Sequence, residues 1–204
     1  MNGLLILAGG KATRLENKPF IEFKGVPMLK LIYDEICDLF SEVVVSARNS
    51  ENENLIKKLT CNSGIVYDPN NFSSINSPLV GIVSAFQEMK SETVFVVSCD
   101  VPLIKKDAVK LILSEIRGFD AAVPVTGSCF IEPLFAAYKR TATLKAGEKA
   151  LNLNKLSVRD AISELNVNYV PAEKFRSIDP MLLSFRNVNS IEDLNSLIKI
   201  KVIV

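Results

Sequence analysis

The chain has 204 residues, 48% of them hydrophobic, with 24 Lys and Arg against 23 Asp and Glu and a net charge of +1. The length suits one large domain with a sizeable core, and the near-neutral balance gives no electrostatic case for nucleic acid or a membrane surface. Histidine is absent, which removes Ser-His-Asp and Cys-His nucleophiles, His-held metals and His general bases together, and leaves chemistry to carboxylates, lysine, arginine, backbone groups and a hard metal ion.

The apolar run Leu4-Leu5-Ile6-Leu7-Ala8 predicts a buried strand over 3–8, closed by Gly9-Gly10 and followed by Lys11, Arg14 and Lys18. Two adjacent glycines let backbone N–H groups approach an anion closely, and Arg14 and Lys18 supply cations, so the segment reads as a phosphate cradle or as an ordinary strand–helix turn. It is neither a Walker A loop nor a G-x-G-x-x-G fingerprint. Helical periodicity follows at 28–40, 51–60, 79–90 and 105–117, and short apolar runs predict strands at 42–47, 64–67, 93–99 and 120–125. This alternation implies βαβ units, hence an α/β fold with a Rossmann-like, mostly parallel sheet flanked by helices on both faces.

Two acidic residues fall at predicted strand ends. Asp100, after Val94–Cys99, stands where open α/β sheets bind ligands, and reads as a Mg²⁺ ligand or as an N-cap for the helix near 105. Asp68, after Ile65-Val66-Tyr67, precedes a polar loop over 69–77 that suits a binding lid or a solvated Asx turn. Beyond residue 125 the rhythm changes. A strand is predicted over 129–139, two helical pieces over 141–165, a strand over 167–170, and a last helix capped by Ser190 with Asp193 in a capping box. Asn189, just before it, reads as a site residue or as part of that cap.

Cys37, Cys61, Cys99 and Cys129 form no C-x-x-C pair, and most of them read as buried thiols of a cytoplasmic protein. The N-terminal apolar run is too short for a signal peptide, and no run reaches the ~18 residues of a membrane span. The simplest organisation is one mixed α/β domain over 1–204.

Together, Leu7-Ala8-Gly9-Gly10 with Arg14 and Lys18, Asp68, Pro78-Leu79-x-Gly81, Cys99-Asp100-x-Pro102-Leu103-Ile104, Glu132-Pro133-Leu134-Phe135 and Asn187-Val188-Asn189-Ser190 resemble the molybdenum cofactor guanylyltransferases. The resemblance implies the nucleotide-diphospho-sugar transferase type of fold, with a nucleotide-binding half at 1–125 and an acceptor-side half at 126–204, and transfer of GMP from GTP to the terminal phosphate of molybdopterin. It implies that Leu7, Ala8, Gly9 and Gly10 hold the nucleotide, that Arg14 and Lys18 contact its phosphates, that Ser46 and Asp68 line its pocket and that Asp100 binds Mg²⁺. Other proteins of molybdenum cofactor biosynthesis are implied as partners. The chain departs from the family in the short Arg14–Lys18 segment, in Ser46 where the family tends to carry asparagine, and in Ser77 where it commonly carries glycine. Cobinamide-phosphate guanylyltransferases, molybdopterin cytidylyltransferases and a non-catalytic nucleotide-binding module remain alternatives on sequence alone.

Overall fold

A computed structural model of the chain describes residues 1–9, 17–61, 63–69, 72, 75, 77–127 and 130–200. Strand β1 (Asn2–Leu7) is followed by a 3₁₀ turn at Lys18–Phe20 and by a two-residue hairpin of β2 (Glu22–Phe23) and β3 (Val26–Pro27). Lys24 and Gly25 turn this hairpin with φ of 53° and 82°, the type I′ geometry that follows strand twist. Next come α1 (Met28–Ile36), β4 (Glu42–Ala47), α2 (Glu53–Leu59), β5 (Gly64–Tyr67), α3 (Pro78–Glu88), β6 (Thr93–Ser98), α4 (Lys106–Glu115) and β7 (Ala121–Thr126). The chain closes with β8 (Phe130–Ile131), β9 (Phe135–Lys139), α5 (Arg140–Asn152), α6 (Val158–Ile162), β10 (Val167–Pro171) and α7 (Ile191–Lys199).

The main sheet runs β10-β7-β9-β6-β1-β4-β5, with β8 pairing β7 outside that path. Pairs β1/β4, β1/β6, β4/β5 and β7/β10 are parallel; β9 is antiparallel to both β6 and β7. Side chains of β1 alternate between the faces. Leu4 and Ile6 join Leu29, Ile32, Ile56 and Ile112 on the side covered by α1, α2 and α4. Leu5 and Leu7 join Ile82, Phe86, Ala146 and Ile162 under α3, α5 and α6. Burial on both faces explains why the strands read as continuous apolar runs rather than as alternating ones. A third small core of Phe23, Met28, Val188 and Leu197 ties the hairpin to α7. Through it the C-terminal segment around Val188 and Leu197 is held beside the β2–β3 hairpin and the start of α1.

Three expectations need correction. The helix expected over 28–40 ends at Ile36 and tightens into a 3₁₀ turn at Cys37–Leu39. The single strand expected over 129–139 is two, because Pro133 has no N–H to donate and the chain turns there, with Phe135 N donating to Glu132 O at 3.1 Å. Of the thiols, Cys99 is buried, but Cys37 is only half-buried and Cys61 is exposed. Cys129 and most of the 69–77 loop lie outside the described residues. No helix among the described residues is long and apolar enough to cross a membrane.

Candidate active site

The chain leaves β1 for β4 and β5 on one side, then crosses back to β6 on the other. The point between β1 and β6 is therefore a topological switch, where loops part and a crevice opens at the carboxyl ends of the strands. A cleft of about 210 Å³ lies there. Leu7, Ala8 and Gly9 from the end of β1, Ser46 from β4, Asp68 from the end of β5, and Asp100 with Lys18 all line it. Seven of the nine residues expected from sequence thus share one cleft. Arg14 and Gly10 lie outside the described residues.

Lys18 is placed by local chain geometry. Asn17 adopts the left-handed region at φ 55°, and the buried Pro19 fixes the second position of the 3₁₀ turn that Lys18 begins. The ammonium of Lys18 donates to Asp100 Oδ2 at 3.0 Å and to Asn189 Oδ1 at 2.9 Å. Asp100 and Lys18 are both largely buried, with side-chain exposures of 12% and 15%. The other Asp100 oxygen, Oδ1, is buried with no hydrogen-bond partner. An unmatched carboxylate oxygen at the mouth of a cleft costs stability unless a ligand or ion completes it. The N-cap alternative for Asp100 fails, since α4 starts at Lys106 with Lys105 at its cap.

Asn189 reaches Lys18 because its segment is anchored twice. Val188 N donates to Asp100 O at 2.8 Å, and Asn189 N donates to Asp193 Oδ2 at 2.9 Å. Ser190 and Asp193 complete the expected capping box of α7. Asn189 therefore serves both readings, cap-adjacent by its backbone and site-facing by its side chain.

The rest of the cleft is set by close packing. A Cβ on Gly9 would lie 3.1 Å from Arg48 N and 3.3 Å from Ala47 C, so glycine is needed here for the strand to pass β4, apart from any anion. A Cβ on Gly81 of α3 would lie 2.6 Å from Ser46 Oγ, so the helix and the buried serine meet at the cleft wall. The Ala8 N–H is committed to Ser46 O at 2.8 Å. Ser77 caps α3, accepting from Leu79 N at 3.2 Å while donating to Leu156 O at 2.6 Å. The Pro78-Leu79-x-Gly81 motif brings Pro78 and Gly81 to the cleft beside Ser77, whereas Ser98, at the end of β6, carries no signal of its own in the sequence.

Electrostatics mark two more carboxylates. Burial pushes the Asp68 carboxyl up from its ordinary 3.8 to about 6, against the pull of the Arg48 guanidinium. Burial likewise raises Glu132, opposed by a hydrogen bond from Thr126 Oγ1 at 3.0 Å and by Arg159, and reinforced by the charge of Asp100. Burial pushes the Cys99 thiol far up, so it stays protonated and inert as a nucleophile.

A cleft at the switch point of a mostly parallel sheet, with a lysine and an unsatisfied carboxylate at its mouth, is where an open α/β fold binds its ligand, and the comparisons with known proteins make that fold a nucleotidyltransferase of the nucleotide-diphospho-sugar transferase type. The model of the MobA-like NTP transferase domain matches residues 4–167, and the chain belongs to that family. A probable molybdenum cofactor guanylyltransferase of Methanosarcina mazei is 32% identical over 202 residues, 95% of this chain and 88% of its own. One from Methanocaldococcus jannaschii is 32% identical over 200 residues, 93% of this chain and 95% of its own. Among solved structures, molybdopterin-guanine dinucleotide biosynthesis protein A from Archaeoglobus fulgidus matches with a TM-score of 0.79 over 95% of each chain. Its 23% identity carries the fold alone.

Proposed function

We propose that this chain is a molybdenum cofactor guanylyltransferase, transferring GMP from GTP to the terminal phosphate of molybdopterin. The observation that carries the reading is the Lys18–Asp100–Asn189 constellation, drawn from three distant parts of the chain to the mouth of one cleft. The names of the M. mazei and M. jannaschii relatives support the substrates.

An oxygen of the acceptor's phosphate monoester attacks the α-phosphorus of GTP. A new P–O bond forms, the bond to the β-phosphate oxygen breaks, and pyrophosphate leaves. The second pKa of a phosphate monoester is ~6, so the nucleophile is already a dianion at pH 7 and needs no base. This suits a chain without histidine. Catalysis then rests on positioning and on neutralising charge. Lys18, once drawn from Asp100 toward the triphosphate, offsets charge on the leaving group, while Asn189 limits where its ammonium can go. Arg14 and the Gly10 backbone are assigned the same phosphates on the sequence pattern.

Asp100 suits Mg²⁺, which takes oxygen ligands and is held by one or two carboxylates plus substrate phosphates. Its buried, unpartnered Oδ1 is the donor such an ion would use. Among the described residues no group of three or more acidic or thiol side chains gathers to hold a metal without help from substrate. When bound, Mg²⁺ would supply Lewis-acid stabilisation of the phosphates.

Leu7, Ala8, Gly9, Ser46 and Asp68 form the nucleoside end of the cleft. Guanine carries adjacent N1–H and N2–H₂ donors, and an ionised carboxylate accepts both. Cytosine offers only its N4–H₂ group on the matching edge. A half-buried Asp68 therefore favours guanine. Residues 126–204 supply Glu132, Leu134, Phe185 and Asn189 around Asp100, which supports the acceptor-side assignment of that half. Among the described residues Cys37, Cys61 and Cys99 are free thiols, which suits the cytoplasm, where other proteins of the same biosynthesis would hand over the pterin.

The test is calorimetric binding of GTP, CTP and ATP with Mg²⁺, then pyrophosphate release on adding molybdopterin. GTP preference, with turnover lost in Asp100→Asn, is expected. CTP preference would move the reading to cytidylyl transfer, and absence of nucleotide binding would refute it.

A further inference from the structure

Of the motif Glu132-Pro133-Leu134-Phe135, only Leu134 reaches the nucleotide cleft. The motif lines a second cavity, of about 160 Å³, that shares Ser98, Asp100 and Leu134 with the nucleotide cleft. Asp100 thus stands between two compartments, as it must if the α-phosphate is attacked from one by a group seated in the other.

The second cavity has three chemical features. Phe185 forms part of its wall and is braced edge-to-face by Phe135 and Phe175, with centroids 4.8 and 5.0 Å away. A ring so braced is a rigid stacking platform. Asn187 adds an amide at the rim. Glu132 is half-buried, and Thr126 Oγ1 donates to its Oε1 at 3.0 Å, fixing the plane of the carboxylate.

Charge decides which end of an acceptor can face Glu132. A phosphate is repelled by two nearby carboxylates, Asp100 and Glu132; Lys18 offsets that charge at Asp100, and at Glu132 the Arg159 guanidinium opposes burial and the charge of Asp100 without overcoming them. A neutral ring edge rich in N–H donors is attracted. Size agrees: a cavity of about 150 Å³ in another protein takes up benzene. One here of about 160 Å³, open at one end, takes a flat heteroaromatic ring and excludes a corrin macrocycle.

We propose that this cavity seats the heterocyclic ring of the acceptor, and that Glu132 is a specificity-determining residue that selects a 2-amino-4-oxo-pyrimidine edge by accepting from its amino and ring N–H groups. The proposal rests on the guanylyltransferase reading above and names the residue that distinguishes a pterin acceptor from other phosphate monoesters. Glu132 and Asp68 then play the same chemical part in adjacent compartments, each reading an amino-oxo-pyrimidine edge.

The experiment is a fluorescence titration of the full chain, pre-loaded with GTP and Mg²⁺, with pterin and with lumazine, its 2-oxo analogue. GTP affinity is followed separately by calorimetry. Wild type is expected to bind pterin roughly ten-fold or more tightly than lumazine, since lumazine lacks the donor pair for a charged acceptor. Glu132→Gln, which keeps an oxygen for Thr126, is expected to abolish that preference while leaving GTP affinity within two-fold. Phe185→Leu is expected to weaken both rings equally and keep the preference. A pterin preference that survives Glu132→Gln, or no pterin binding by a protein that binds GTP normally, would overturn the proposal alone. Failure of wild type to bind GTP would overturn the guanylyltransferase reading as well, and is seen in a separate signal.

Discussion

Replacing Asp68 with asparagine should strengthen the fold and weaken the enzyme. Burial raises this carboxyl from 3.8 to about 6, which is a difference of about two in pKa. By linkage that is worth about 3 kcal/mol at full burial. Asp68 is only half-buried, so solvent screening lowers the figure to about 1–2 kcal/mol. Because the folded pKa is raised, folding is favoured by protonation. The stability is fully present below about pH 4 and is lost as pH rises through about 6. At pH 7.5 the ionised side chain therefore burdens the fold by that amount, and a neutral asparagine does not. For a chain of this size 1 kcal/mol corresponds to roughly 2–4 °C. Asp68→Asn should raise Tm by about 2–8 °C at pH 7.5 and leave it unchanged at pH 4. Calorimetric scans of both proteins across pH 4–8 measure this directly. The same substitution should weaken GTP about ten-fold by removing a charged acceptor, and wild-type GTP affinity should fall as pH drops through about 6. Equal Tm differences at pH 4 and pH 7.5 would refute the linkage argument. Unchanged GTP affinity would refute the base-reading role.

Lys18→Ala should lower kcat/KM by roughly 10²–10³, the usual loss on removing one preorganised charge stabiliser, with the circular dichroism spectrum unchanged. Asn189→Ala, which only frees the Lys18 ammonium, should cost about three- to ten-fold in kcat with GTP affinity nearly unchanged. Gly81→Ala should destabilise by about 1–3 kcal/mol through overpacking against Ser46 Oγ, and Ser46→Ala in the same chain should restore most of the lost Tm. Ser190→Ala should cost about 1 kcal/mol by removing the α7 cap, and should also reduce turnover, since the capping box holds Asn189 in place.

The parallel half of the fold was legible because strands covered on both faces must be apolar throughout. Predicted strands 42–47 and 64–67 match β4 and β5 residue for residue. The strand ends were legible for the same reason, and with them Asp68, Asp100 and the Leu7–Gly9 edge. What the sequence hid was direction and distance. Nothing in Phe135–Lys139 distinguishes an antiparallel strand from a parallel one, since β9 is buried between β6 and β7 and shows no alternation. The β2–β3 hairpin was missed because two-residue strands carry too little pattern, although Lys24-Gly25 supplied a turn signal.

The site itself shows the same division. Asp100 looked equally like a helix cap from its neighbours in sequence. Only the fold brings Lys18, 82 residues away, and Asn189, 171 residues from Lys18, to opposite ends of one ammonium. These contacts form because the C-terminal segment is pinned to Asp100 O through Val188 N and packed on Phe23 and Met28 through Val188 and Leu197. A cap would leave the carboxylate satisfied by its own helix. Here one oxygen is met by the Lys18 ammonium and the other, among the described residues, by nothing. Folding could have placed an asparagine there at less cost in desolvation. A carboxylate left half-unpaired between two cavities suits a substrate-borne partner, and this supports the proposal that the reaction takes place at Asp100.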